Sequence, residues 1–347
     1  MKADLPILPR SSFPAPARGL LAGLILISLV LSPVITGCRK QEPFRETMFL
    51  MGTLVEIAAY PDTREVRDAV ALAFRRMEKV ESLADQWEED SPFARLRRGE
   101  GSDLSPEMLQ VLEVALKVAR MSSGVFDPTM GELVDLWGFE RGSHRVPGSD
   151  RISEAMASMG YERLSMSGGG VKVNGQPVWL ELGGVAKGYA VDEAVRVLKK
   201  SGVRAGIVNA GGDLRAFGKK PGGKPWRIGV QDPDDPQGMV GVLTVEDAAV
   251  ATSGDYERYF EVDGVRYHHI LDPATGRPSR SGVRGVTVVA PDCVLADALA
   301  TAVFVLQQDQ GRELLGRQND VEGAWVLEDG RILTTPGIGT VIEFERR

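Results

Sequence analysis

Residues 293–306 read CVLADALATAVFVL, and Asp297 is the only charged residue among them. Every face of a helix over this run is apolar or small, so it must be covered on most sides, and the rest of the chain has to be built around it. A carboxylate buried this way is costly unless it is paired or bound to a cation. Thr301 stands one helical turn beyond Asp297 and on the same face. A carboxylate beside a hydroxyl suits a hard cation such as Mg²⁺, which takes few protein oxygens and completes its shell with water and phosphate. A buried Asp paired with an Arg, or capping a loop, would satisfy the same requirement, and spacing alone leaves both readings open.

The 347 residues allow one large domain or two small ones, and 43% hydrophobic with 26% charged is ordinary globular composition. The first 37 belong to neither. Leu20–Val34 is an apolar run with Lys2, Arg10 and Arg18 upstream, and it ends in Ile35-Thr36-Gly37-Cys38. This pattern is a secretory signal, too quickly followed by polar residues for a membrane span. Small residues before Cys38 resemble the cleavage box of bacterial lipoproteins, in which the cysteine receives lipid and becomes the new N-terminus. An ordinary signal peptide cut nearby, or an uncut membrane helix, fits the placement of Cys38 less well.

We therefore expect a signal peptide over 1–37, a lipidated tether over 38–47 beginning at Cys38, and a folded domain over 48–347. The protein would be exported and held by its lipid on the cell envelope, facing the periplasm. Cys293 then has no partner within the chain, so no internal disulfide is expected. Residues 1–37 carry Lys2, Arg10 and Arg18 against Asp4, so their removal moves the formal charge from −7 to −9. That balance argues against a nucleic-acid surface, and an anionic ligand would need local positive charge or metal ions.

Met48–Tyr60 reads as a first strand. Val66, Val70, Phe74, Met77 and Val80 recur at helical spacing, as do Met108, Val111, Leu112, Ala115 and Ala119. From about Gly168 the chain turns to short strands between glycine turns: Val171–Val173, Val178–Leu182, Ala205–Val208, Trp226–Gln231, Val242–Val245, Tyr259–Val262 and Val265–Leu271. Asp263-Gly264 is a hairpin signal between the last two, and Asp232-Pro233-Asp234-Asp235-Pro236 is a loop. A helix over Cys293–Leu306 and a strand pair, Ala324–Leu327 with Val341–Phe344, close the chain. Strands grouped apart from helices favour an α+β domain over a doubly wound parallel sheet.

In ELGGVAKGYAVDEA, residues 181–194, Lys187 is expected at or just before the first turn of a helix. A cation there opposes the helix dipole, and a bound anion would resolve the conflict. His268 and His269 precede Ile270-Leu271-Asp272-Pro273-Ala274-Thr275-Gly276. Adjacent strand residues point to opposite faces, so at most one of the two histidines should be functional, as a general base of near-neutral pKa. Asn209–Asp213 and Ala251–Tyr256 end strands in glycine-containing turns that permit close approach of a ligand. Walker spacing, a GxGxxG after a strand, a GxSxG elbow and zinc-ligand patterns are all absent from the sequence.

Seven stretches in order, MGTLVEI, GVFDPTMGELVDLWGF, ELGGVAKGYAVDEA, VNAGGDLRAFG, ATSGDYERYF, HHILDPATGRP and ADALATAVFVL, span residues 51–306. Together they closely resemble the ApbE family of FAD:protein FMN transferases. The resemblance implies a single domain of mixed or antiparallel sheet with packed helices. It also implies transfer of the FMN half of FAD to a Thr or Ser hydroxyl of an acceptor protein, with Mg²⁺ as cofactor and AMP released. It puts Asp297, Thr301 and the main-chain carbonyl of Gly184 on Mg²⁺, and Met51, Phe126, Asp127, Glu181, Lys187 and Ile270 around FAD. His269 matches the family's proposed catalytic histidine; Asp272, in the turn that follows it, would help it take the acceptor's proton. Glu181 departs from the family, which commonly has Asp there. Lys187 would meet the FAD pyrophosphate or an adjoining polar group of the nucleotide. Acceptors would be exported flavin-carrying subunits of membrane redox complexes. The competing expectations are an FAD pyrophosphatase yielding FMN and AMP, and a periplasmic flavin-binding lipoprotein without chemistry.

Overall fold

The protein is described by a computed structural model covering residues 42–86, 90–100, 103–139, 142–168 and 170–338, with the main chain of 342–344. The expected signal peptide, the lipidation site Cys38 and the start of the tether lie outside the described residues. In chain order the first elements are β1 (Phe44–Leu50), β2 (Thr53–Tyr60), α1 (Arg64–Ala84), α2 (Pro92–Arg97), α3 (Pro106–Met121), α4 (Gly131–Trp137), α5 (Ser149–Ala157), β3 (Leu164–Ser167) and β4 (Gly170–Val173). Then come α6 (Gly183–Lys200), β5 (Ala205–Ala210), β6 (Asp213–Phe217), β7 (Trp226–Asp232), β8 (Asp235–Val245), β9 (Ala249–Gly254), β10 (Tyr259–Val262) and β11 (Val265–His268). The last are β12 (Leu271–Asp272), β13 (Arg277–Pro278), β14 (Val283–Ala290), α7 (Cys293–Val305), α8 (Gln308–Gly316), β15 (Glu322–Leu327), β16 (Ile332–Thr334) and β17 (Ile342–Phe344).

Eight strands form one sheet in the order β1-β2-β5-β6-β9-β14-β15-β16, and each neighbouring pair runs antiparallel. Side chains alternate across it with the two-residue period of a strand. Ala249 and Ala251 of β9 face the larger core and Val250 the smaller one; on β14, Val286, Val288 and Ala290 face the larger and Val289 the smaller. The larger core lies under α1, α3, α6 and α7. The smaller lies between the sheet and the β17-β8-β7 layer. The expected α+β architecture is thus present, as helices on one face of an antiparallel sheet.

Local chemistry starts the helices where their caps stand. Thr63 Oγ1 accepts the Val66 N–H at 3.4 Å to open α1, and Ser105 Oγ accepts the Met108 N–H at 3.2 Å ahead of Pro106 in α3. α7 is buried as its composition requires. It packs on α6, α3, β9 and β14, and Ala296, Ala298, Leu299, Ala300, Ala302 and Val303 are all inaccessible to solvent.

Four expectations need correction. Met48–Tyr60 is two strands rather than one, because Met51 and Gly52 turn with φ of 55° and 70°. The tether does not reach residue 47, since Phe44–Thr47 already pairs with Glu56–Ala59. Val178–Leu182 makes only an isolated bridge, Met130 to Trp179, before α6 begins. The closing strands do not pair with each other: β15 pairs with β14 and β16, while β17 pairs with β8.

Candidate active site

The site is built where the start of α6 meets the middle of α7. Helix α6 begins at Gly183, and Glu181 Oε1 accepts the Gly183 N–H at 2.7 Å. Lys187 is therefore in the second turn of α6, not at its start. Its anion is internal: the Lys187 ammonium pairs with Asp213, which is 2% exposed at the head of β6. Asp213 and Arg215 lie two apart on β6, about 6.8 Å, and their partners Lys187 and Asp192 lie five apart on α6, about 7.5 Å, so strand and helix stay in step.

One of the α6 glycines is demanded by space and a second is crowded. A Cβ on Gly188 would lie 2.4 Å from the carbonyl oxygen of Cys293, so the two helices approach to backbone contact there. The Gly188 N–H donates to Asp297 Oδ2 at 3.0 Å. A Cβ on Gly184 would stand 3.3 Å from Thr301 Oγ1, and Thr301 Oγ1 lies 3.5 Å from Ser253 Oγ on β9. The three residues expected around a metal ion, Gly184, Asp297 and Thr301, thus come together on one wall of a cavity of about 150 Å³.

Charge in this region is unbalanced. Burial raises Asp297, Asp213 raises it further, and Lys187 with the Gly188 N–H only partly offset them, so it stands at about 8. Burial pulls Lys187 down, but Asp213, Asp297 and Glu257 outweigh it and hold the ammonium well above its usual range. Lys187 and Arg258 thus face three acids, of which burial raises Asp297 to about 8 and Glu257 to about 7, and a hard divalent cation on Asp297 would favour its ionised form. Among the described residues no group of three His, Cys, Asp or Glu side chains converges on a point. A cation here would therefore be completed by hydroxyl, carbonyl, water and ligand oxygens, which is the habit of Mg²⁺.

The histidine pair divides, but not within one strand: the expected strand Val265–Leu271 ends at His268, and His269 stands in the bend beyond it. His268 is buried, with Nε2 3.0 Å from the Ser279 carbonyl and its ring edge-on to Phe304. His269 lines the cavity. Its main-chain N–H donates to the Arg258 carbonyl at 3.0 Å, and its Nδ1 lies 3.2 Å from the same oxygen. A carbonyl only accepts, so Nδ1 carries the proton and Nε2 keeps a lone pair. Burial, then the Arg258 cation, pushes His269 down to about 3, below the near-neutral value expected of a general base, so the ring is neutral at ordinary pH.

Phe126, Asp127, Glu181, Lys187 and Ile270 line the same cavity as His269. Asp127 is also a turn former: Oδ1 accepts the Thr129 N–H at 2.8 Å and Thr129 Oγ1–H at 2.6 Å, and Oδ2 accepts the Tyr161 N–H at 3.2 Å. Met51 is not in this cavity. It lines a second hollow of about 560 Å³, beside Glu78, Glu81 and Gln86, and its N–H donates to Glu81 Oε1 at 2.6 Å. Glu181, Gly183, Lys187 and Arg258 belong to both walls, so the two hollows adjoin with two cations at the junction.

Asp272 is a correction. Its Oδ1 accepts the Ala274 N–H at 2.9 Å and its Oδ2 the Thr275 hydroxyl at 3.2 Å, closing the Asp-Pro-Ala-Thr-Gly turn instead of orienting His269. That orienting role belongs to the Arg258 carbonyl. Sequence reading missed Arg258, Asp213 and Ser253. Asp213 and Ser253 do lie in the strand-ending glycine stretches that were legible, whereas Arg258 carries no local signal.

The ApbE family model matches residues 51–325. FAD:protein FMN transferase of Vibrio cholerae is 33% identical over 296 residues, covering 82% of this chain and 88% of that one. The Treponema pallidum protein of the same description is 33% identical over 325 residues, covering 87% and 89%. The crystal structure of the ApbE protein of Thermotoga maritima superposes with a TM-score of 0.80 at 36% identity, covering 88% of this chain and 100% of that one. Flavin transferase ApbE from Vibrio cholerae gives 0.77 at 29% identity, covering 87% and 99%. The matched span holds every α6 and α7 residue of the site just described, and on sequence and fold together this chain belongs to the ApbE family.

Proposed function

We propose that this protein is an FAD:protein FMN transferase, moving FMN from FAD to a Thr or Ser hydroxyl of an acceptor protein and releasing AMP. The observation that carries the reading is the meeting, in one cavity, of a neutral His269 whose Nε2 keeps its lone pair with Gly184, Asp297 and Thr301. Two adjoining hollows with Lys187 and Arg258 between them suit a dinucleotide whose pyrophosphate lies at the junction. Curated relatives carrying this description add independent support.

Asp297, Thr301 and the Gly184 carbonyl would hold Mg²⁺. When bound there, it would neutralise charge on the pyrophosphate and on the departing AMP. The chain's own part is mostly placement, as phosphoryl transfer requires. His269 Nε2 takes the proton of the acceptor hydroxyl, while the Arg258 carbonyl holds the ring through Nδ1–H. The acceptor oxygen bonds to the FMN phosphorus as the bond to the bridging oxygen breaks, and that oxygen leaves with AMP. Lys187, kept charged by Asp213, stabilises the anionic end of the reaction.

Export behind a signal peptide, lipid attachment at Cys38 and exported redox subunits as acceptors complete the proposal. They rest on the Ile35-Thr36-Gly37-Cys38 pattern and the family resemblance. The experiment separates transfer from hydrolysis: AMP released from FAD and Mg²⁺ is followed with and without an acceptor domain. The proposal expects AMP to appear in step with acceptor. AMP at the same rate without acceptor would make the protein an FAD pyrophosphatase, and no AMP in either case would leave a flavin-binding protein.

A further inference from the structure

Three pairs of residues join α6 to α7 in reverse order, each one helical turn from the next. Gly184 faces Thr301, and Gly188 donates to Asp297. Asp192 makes the third pair: its Oδ1 accepts the Cys293 N–H at 3.0 Å and its Oδ2 the Val294 N–H at 2.9 Å. Gly184, Thr301 and Asp297 lie in the cavity wall, whereas Gly188 and Asp192 are not among the residues that line it.

The first N–H groups of a helix have no partner within it. Asp292, the N-cap of α7, is of a type that often caps its own helix, yet it makes no side-chain cap bond. Its carboxylate lies 2.9 Å from Arg215 Nη1 instead. The same Nη1 donates to Asp192 Oδ1 at 2.6 Å. The chain has therefore left the cap to a carboxylate 6% exposed on a different helix. A local cap would satisfy the same N–H groups without fixing where α7 stands. A cap borrowed from α6, with both oxygens engaged and an arginine from β6 behind it, ties the two helices in one register. Gly188, which offers a single N–H and no side chain, cannot set that register alone.

We propose that Asp192, steadied by Arg215, is a positioning residue that sets α7 against α6 and so places Asp297 and Thr301 beside Gly184. The inference rests on the reading of those three as the metal-holding group.

The test uses the full chain without FAD and Mn²⁺ as the probe, titrated by electron paramagnetic resonance. Asp192→Asn should weaken Mn²⁺ binding about 10- to 100-fold, the range for removal of a group behind a ligand. Arg215→Met should weaken it less, and Arg215→Lys should recover part of that loss. Leu243→Ala, a truncation in the smaller core, should lower the melting temperature and leave Mn²⁺ affinity unchanged. If Asp192→Asn does not fold, the two Arg215 variants carry the test. Unaltered Mn²⁺ affinity in Asp192→Asn, or in Arg215→Met where it alone folds, would overturn the positioning role. Failure of the unsubstituted chain to bind Mn²⁺ would instead overturn the metal reading beneath it.

Discussion

The Gly188 N–H meets Asp297 Oδ2 at 3.0 Å, and a Cβ on Gly188 would meet the Cys293 carbonyl oxygen at 2.4 Å. One contact orients the acid and the other fixes how close the two helices stand. The three atoms nearest the missing Cβ, the carbonyl oxygen and carbon of Cys293 and the Cα of Val294, are all main chain, so none can swing aside. Gly188→Ala should destabilise the fold by about 1–3 kcal/mol, as overpacking does, and should depress turnover beyond that loss. Urea unfolding and AMP release measured on the same samples check both.

Lys187→Met should leave the 2% exposed Asp213 carboxylate buried without its ammonium. Breaking such a pair costs about 3–5 kcal/mol. Adding Asp213→Asn should restore much of the stability and none of the activity. A double-mutant cycle in urea reads the first expectation and an FAD turnover assay the second.

Arg258 serves the site twice, through its carbonyl on His269 and through its place on the wall of both hollows. Arg258→Ala keeps the carbonyl and removes the guanidinium, and with it the place on both walls, the 3.1 Å bond to the Phe139 carbonyl and the downward push on His269. FAD binding should weaken by about 10- to 100-fold, matching a charge-assisted contact of about 1.5–3 kcal/mol, with kcat changed far less. Flavin fluorescence titration beside steady-state kinetics separates the two.

His269 stands at about 3 in the fold against an ordinary 6.5. Between those values the unfolded chain holds more protons, so this group's contribution to stability is lost as pH falls from about 6.5 towards 3. His269→Asn should flatten that part of the stability profile. Turnover should show no acid limb from this ring near pH 6.5. Urea midpoints at about pH 4.5 and about pH 7, compared for the two proteins, test the assignment.

Much of this arrangement was legible because it rests on short-range rules. The uniform apolarity around Asp297 required a buried helix, and only one of the two histidines was expected in the site; His269 alone lines the cavity, although it stands just beyond the strand that ends at His268. Partners chosen across long sequence separations were not legible. Lys187 asks for an anion from sequence alone, but only the fold shows it to be Asp213, 26 residues on. Asp272 read as a catalytic helper because its turn sits beside His269, yet its oxygens are used by that turn. Val283–Ala290 is a central strand that local pattern did not single out. It is covered on both faces, so its apolar run lacks the alternation that marks a half-buried strand.

The central claim is that the α6–α7 site and His269 move FMN onto a protein, and the intact mass of an acceptor domain after incubation with FAD and Mg²⁺ tests it most directly. The unsubstituted chain should add one FMN to the acceptor, Asp297→Ala should add none, and His269→Ala should slow the addition far more than it weakens FAD binding. A full FMN gain with Asp297→Ala, or no gain with the unsubstituted chain while AMP accumulates, would contradict it.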